Sequence, residues 1–190
     1  TPGRGDLLYK NNNDDKVIGN DNDRVLKGNP IPLYTYGGNL GLTYKGFDFN
    51  MQFDGVAGWD KYLRNSLYSL NHQDGYQWPK EYLNAWTEQN PSKTIPKVYF
   101  SNPRNDQISD YYLRSSAFLK IRSMQLGYNL PKSLIQAAKI EKLRIFVNLE
   151  NYFTFTKWPT NDPEVELPSA GGDQTYPLSK TFSMGLNISF

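Results

Sequence analysis

Three carboxylates, Asp162, Glu164 and Glu166, follow one another at two-residue spacing just beyond Trp158. Acids beside an aromatic platform are what a glycoside hydrolase needs, one as general acid and one as nucleophile or base. Here they fall on a loop that fixes no geometry between them, and no adjacent apolar pocket that would raise a carboxyl pKa can be read. No catalytic residue is expected. A second oxygen-rich stretch, NNNDDKVIGNDND from Asn11 to Asp23, has the donor types a hard cation such as Ca²⁺ wants, with Asn11, Asn13 and Asp15 as the weak candidates. It departs from an EF-hand loop counted from Asn11: Lys16 stands where the turn glycine belongs, and Asn22 stands where a bidentate Glu belongs. A solvated loop of Asx turns is the plainer reading, so no cofactor is expected beyond this weak Ca²⁺ possibility.

The four tryptophans, Trp59, Trp78, Trp86 and Trp158, lie in or beside long connecting segments. Their ring faces could meet a sugar ring, a peptide side chain or a partner protein, because they offer apolar area without desolvating charge. The structural alternative is that they pack the loops together. The chain has 190 residues, one His (His72) and no Cys, which removes thiolate and His-cluster metal sites and disulfide frameworks. A net charge of +2 leaves no electrostatic footprint for nucleic acid. Apolar residues make up only 38% of the chain while aromatics reach 15%, so any core must be distributed in an unusual way.

The elements that carry these groups alternate with a period of two. In SKTFSMGLNISF, Phe182, Met184, Leu186, Ile188 and Phe190 oppose Thr181, Ser183, Gly185, Asn187 and Ser189. Tyr34, Tyr36, Leu40, Leu42 and Tyr44 share one face of a strand, and Phe47, Phe49, Met51 and Phe53 share one face of the next after a turn at Gly46. Leu143, Ile145, Val147, Leu149, Phe153 and Phe155 repeat the pattern. Between them, AFLKIRSMQLGY changes phase at Arg122–Ser123, which reads as a β-bulge. Strands are therefore predicted over 33–45, 47–57, 112–128, 142–155 and 178–190, most of them near the 9–11 residues of a tilted membrane strand.

Connection lengths alternate as well. Gly46 and 130–141 are short links, whereas 58–110 and 157–178 are long, and such loops are uncommon in compact soluble domains. Short turns at one end and long loops at the other describe an outer-membrane β-barrel. Within the long loops, DKYLRNSLYSL and PKEYLNAWTEQ have helical spacing. With the last strand ending at the periplasm, Tyr44, Phe47, Tyr128 and Phe190 form the inner aromatic girdle, and Tyr34, Tyr36, Phe153 and Phe155 the outer one. The polar face, with Asp48, Asp54, Lys120, Arg144 and Glu150, then points to a wet lumen. A soluble carbohydrate-binding β-sandwich is the alternative, since its strands also alternate.

PGRGDLLYKNNNDD, SSAFLKIRSMQLGYNLPKSLI, IEKLRIFVNLENYFTFTKW and the final FSMGLNISF resemble the C-terminal part of the SusC/RagA-type TonB-dependent outer-membrane transporters of Bacteroidetes. The resemblance implies an all-β fold in which residues 1–190 form the C-terminal portion of one transmembrane antiparallel barrel, 22-stranded in the family, with long extracellular loops. The family's plug domain and TonB-contacting segment are not among these residues, so the chain is expected to be a fragment. It further implies nutrient import rather than catalysis, location in the bacterial outer membrane, contact with membrane lipid, a SusD-like surface lipoprotein as partner, coupling to the TonB system, and an oligosaccharide or peptide as substrate. Phe190 would be the terminal aromatic read by the barrel-assembly machinery.

Overall fold

The computed structural model describes every residue except 1, 20–21, 65–67, 73–77, 101, 161, 166–175 and 177. The chain divides into two compact units.

One unit covers 29–60, 115–165 and 176–190 and is built on a five-stranded antiparallel sheet. Its strands are β1 (Tyr34–Tyr44), β2 (Phe47–Ala57), β7 (Phe118–Asn129), β8 (Lys142–Thr156) and β9 (Thr181–Ser189), paired in that order. Lys45 and Gly46 join β1 to β2, both with positive φ (47° and 89°), as a two-residue hairpin of right-handed twist requires. The short link from β7 to β8 contains the single-turn helix α1 (Lys132–Ile135).

Register lines the apolar side chains up in rows. Tyr44, Phe47, Tyr128, Ile145 and Leu186 form one row; Leu42, Phe49, Leu126, Val147 and Met184 form the next; Leu40, Met51, Met124, Leu149 and Phe182 form a third. Because paired residues share a face, all three rows lie on one side of the sheet. No second sheet covers that side among the described residues: Leu42 is 58% exposed and Met184 72%. A sandwich would bury these positions, so the sandwich alternative fails on this face. The opposite face carries Asn39, Asn50, Gln52, Gln125, Asn148 and Ser183.

The bulge at the phase slip is present and is compound. Between the row Met51–Met124–Leu149 and the row Phe53–Ile121–Phe153, β2 advances two residues, β7 three and β8 four. Arg122 is the extra residue on β7, and Asn151, with φ +56°, marks the extra length on β8. On the apolar side the Tyr36 ring lies over Gly55 and donates its hydroxyl hydrogen bond to the Phe118 carbonyl at 3.0 Å. A Cβ on Gly55 would come within 2.3 Å of that carbonyl oxygen, so only glycine lets the three strands approach there.

One expected boundary is corrected. The strand predicted over 112–128 begins only at Phe118; Tyr112 belongs to a 3₁₀ turn (Asp110–Tyr112), and β6 (Leu113–Ser115) pairs with β3 (Asp60–Tyr62) in a separate two-stranded sheet. Ser116, fully buried, donates its backbone N–H to Trp59 O at 2.7 Å and its hydroxyl to Pro163 O at 2.7 Å, which takes the chain out of the ladder. Likewise the last strand runs Thr181–Ser189 rather than 178–190.

The second unit takes its described residues from 1–28 and 61–114. Its core is Leu70, Tyr82 and Tyr112, with Leu7, Ile95, Val98 and Tyr111 packed against it. The tyrosines stay inside because their hydroxyls are satisfied: Tyr82 donates to Tyr68 O at 2.7 Å, and Tyr112 to Asn105 O at 3.0 Å. Burial pushes both hydroxyl pKa values well above the usual tyrosine range. Two short strands, β4 (Asn71–His72) and β5 (Tyr99–Phe100), pair in parallel. Helical spacing in PKEYLNAWTEQ becomes a 3₁₀ helix over Lys80–Asn84, whereas DKYLRNSLYSL starts as strand β3 and no helix is found in its described residues.

Candidate functional site

The polar face of the five-stranded sheet holds two ionic clusters separated by amides. Near the short-turn end, Arg144 bridges to Asp48 with Nε donating at 2.9 Å and also donates to Gln125 at 2.8 Å, while Asn129 donates to Asp48 at 3.2 Å. Further along, Arg122 grips Asp54 (Nη2 donating at 2.8 Å) and Glu164 (2.5 and 2.8 Å). Lys120, only 2% exposed, donates to Asp162 at 2.7 Å and Glu164 at 2.5 Å. Asn148 donates to Glu150 at 2.9 Å. The five charged residues expected on this face thus have partners within the sheet or on the adjoining 162–164 segment.

Arg122 is the residue that sequence reasoning missed as a participant. It was legible only as the point where the phase slips. The extra residue of a bulge re-aims its side chain, and here that places a guanidinium between two carboxylates.

Asp162 and Glu164 also acquire a definite role. Asp162 is buried, accepts from Lys120, and closes an Asx turn by accepting from Glu164 N at 2.9 Å. The Arg122 guanidinium beside Glu164 holds its carboxyl down at about 2, with Lys120 adding to the effect against the opposing cost of burial. An acid held ionised in this way cannot serve as the proton donor of a glycosidase. Glu166 lies outside the described residues. A cleft of about 270 Å³ opens beside this cluster, lined by Lys120, Asp162, Tyr152, Thr154 and Lys180 among others.

In the second unit, residues 3–9 are fastened across the loops by Asp6. Its carboxylate accepts from Gly3 N (2.7 Å), Tyr99 Oη (2.7 Å), Asn105 Nδ2 (3.2 Å) and Arg104 Nη1 (3.4 Å). A groove of about 730 Å³ runs beside this segment, with Leu8, Ile18, Val25 and Ile108 on its wall and Arg24 and Asp110 among its charges.

The four tryptophans are not equivalent. Trp78 is 39% exposed. Trp86 is half-buried, its ring lying so close to Gly5 that a Cβ there would come within 2.3 Å. Trp59 donates from Nε1 to Pro30 O at 3.0 Å. Trp158 is buried, at 4% exposure, and presents no open ring face in this fold.

Asn11, Asn13 and Asp15 do come together, but their oxygens are turned to their own loop. Asn11 Oδ1 accepts from Asp14 N at 2.7 Å, Asn13 Oδ1 from Asp15 N at 3.2 Å, and Asp15 Oδ1 from Val17 N at 2.8 Å. Asp23 closes the loop, accepting from Asn12 N and Gly19 N, both at 2.7 Å. This is the Asx-turn arrangement. Among the described residues no group of three or more His, Cys, Asp or Glu is placed to hold a metal. Phe190 follows β9 and is 82% exposed.

An open-edged antiparallel sheet with one bare apolar face and one ion-paired polar face is a section of β-barrel wall. In sequence and fold the chain is similar to segments of SusC- and RagA-type proteins. It is similar to TonB-dependent receptor P3 of Formosa agariphila, at 29% identity over 178 residues, covering 88% of this chain and 17% of that one. It is also similar to TonB-dependent receptor SusC of Bacteroides thetaiotaomicron, at 33% identity over 90 residues, which is 46% of this chain and 9% of SusC. Among solved structures it matches the RagAB peptide importer in its closed-closed state with a TM-score of 0.70 and 28% identity, over 92% of this chain and 19% of that one. The open-open state matches with a TM-score of 0.66. No protein-family model matches the chain. The chain spans about one-fifth or less of the length of these relatives. They are receptors and importers rather than enzymes, in agreement with the expectation that no catalytic chemistry resides here.

Proposed function

We propose that the chain forms part of the wall of an outer-membrane importer energised through TonB, which takes up peptides or oligosaccharides together with a SusD-like surface lipoprotein. The observation that carries this reading is the pairing of faces. Three consecutive rows of Leu, Ile, Val, Met, Phe and Tyr are left bare on one side, while the other side is amide-rich and closed by ion pairs. Lipid accepts the first face and a wet lumen the second.

In this arrangement the unit built from 1–28 and 61–114 supplies extracellular loops, with Trp78 the most open of the aromatic candidates for ligand or partner contact. Phe190 serves as the assembly signal. A peptide is the first substrate to try, because the solved relative is a peptide importer. The test uses the full-length parent protein. It should require detergent for extraction, and cells carrying it should accumulate labelled oligopeptide or oligosaccharide only while the inner membrane is energised. Recovery from the aqueous fraction as a monodisperse monomer without detergent would sink the reading. Uptake of oligosaccharide but not peptide would keep the importer and reverse the substrate preference.

A further inference from the structure

The end of the sheet that carries the short connections is strongly basic. Lys45 sits in the β1–β2 turn, Lys132 on α1, Lys139 at the end of the following 3₁₀ turn and Lys142 at the start of β8, and all four are exposed. The only acid within these connections is Glu141, so four positive charges face one negative and the net is +3. Among the described residues none of the four lysines makes an ion pair. Asp48, the nearest strand carboxylate on the polar face, is already taken by Arg144.

Lys142 shares the polar face with Arg144, two residues further along β8, whereas Lys45 borders the bare apolar face. The Lys45 ammonium lies 5.2 Å from the centroid of the Tyr44 ring, which is 69% exposed and belongs to the end row of that face. Phe47 and Tyr128 stack beside it with centroids 4.5 Å apart. On α1, Ile135 is buried and anchors the turn, while Leu134 is 69% exposed between Lys132 and Lys139. Lys45 and Lys139 both occupy left-handed positions (φ 47° and 55°) that backbone geometry would give to Gly or Asn. Turn formation therefore does not explain why lysine stands there.

We infer that this end of the sheet binds anionic phospholipid headgroups, with the Lys45, Lys132 and Lys139 ammonium groups meeting phosphates and Tyr44 and Phe47 meeting the acyl chains just below them. The chemistry selects a lipid over free phosphate, because a bare anion has no use for the exposed aromatic side chains beside Lys45. Juxtamembrane lysines are attracted to anionic leaflets in this way, and aromatic rings mark the same depth. The inference rests on the membrane-barrel reading above.

The test places the full-length parent protein in nanodiscs of phosphatidylethanolamine and phosphatidylglycerol and counts, by native mass spectrometry, which lipids stay bound after partial delipidation. Phosphatidylglycerol should be retained in preference, and preference should fall about fivefold for each lysine removed in the series Lys45→Gln, then Lys139→Gln, then Lys132→Gln. Lys10→Gln with Lys16→Gln, in the other unit, should leave it unchanged. Raising salt on the unaltered protein gives a second readout free of any folding defect: the preference should shrink. Equal retention of both lipids, or a preference insensitive to salt and to the three substitutions, overturns the inference while leaving the barrel intact. Failure of the unaltered protein to enter nanodiscs overturns the barrel reading and the inference together.

Discussion

Removing the ammonium of Lys120 tests whether the 162–164 segment is held down by charge. Lys120→Met keeps much of the apolar stem but leaves Asp162, 5% exposed, without its cation. Stripping one partner from a buried ion pair costs about 3–5 kcal/mol. Asp162 would keep the bond from Glu164 N at 2.9 Å, and Glu164 would keep Arg122, so the low end applies and the cost is about 3 kcal/mol. At 1.4 kcal/mol per decade, that is about a hundredfold shift in the local opening of the segment. Hydrogen exchange of peptides covering 158–165, measured on the full-length protein in detergent, reads this directly. Adding Asp162→Asn removes the stranded charge, and the double variant should recover part of the lost protection. Unchanged protection in Lys120→Met would refute the reasoning. So would a double variant whose losses simply add, since contacting partners must couple.

Leu186, 60% exposed in the end apolar row, and Ser183 on the polar face separate the two faces. Leu186→Arg should lower outer-membrane insertion of the full-length protein, by about 2–4 kcal/mol if it lies near the bilayer midplane, and Ser183→Arg should cost less; the reverse ranking in a membrane-fractionation assay would swap the faces. Gly55→Ala should destabilise the sheet by more than about 1 kcal/mol, because the obstacle at 2.3 Å is a backbone carbonyl that cannot turn aside; a melting temperature equal to that of the unaltered protein would contradict the close packing. The Glu164 carboxyl is held down in the folded protein at about 2 from an ordinary 4.5, so its contribution is fully present above about 4.5 and is lost as pH falls from there through about 2. Proteolytic nicking of 158–165 should therefore be flat from neutral pH to about 4.5 and rise only below it; a rise between pH 7 and 5 would point to a different anchor.

Much of the wall was legible because alternation and register report the same physics. Leu143 through Leu149 and Phe182 through Ile188 show their faces in the sequence, and pairing places them in common rows. The slip at Arg122–Ser123 was visible for the same reason. What alternation cannot carry is the identity of a strand's partner. Leu113–Ser115 continues a plausible strand pattern, yet the buried Ser116 redirects it to β3. Nor could sequence place Asp162 and Glu164 against Lys120 and Arg122, because the contact joins positions 42 or 44 residues apart and depends on where a bulge aims one guanidinium. The tryptophans divided for a similar reason: composition marks all four as loop aromatics, but burial of Trp158 follows from long-range packing.

The compound bulge has a geometric consequence for the wall it interrupts. Across the same interval β2 spends two residues, β7 three and β8 four, so contour length grows steadily from one strand to the next. A sheet given more length along one side than the other behaves like cloth with a gore sewn in: its far portion must turn or flare. In a closed barrel, strand tilt and girth follow from the residue offset accumulated around the circumference. A wall with this wedge therefore has one offset below the bulge and another above it, so the mouth on the long-loop side can differ in girth from the waist without any change in strand number.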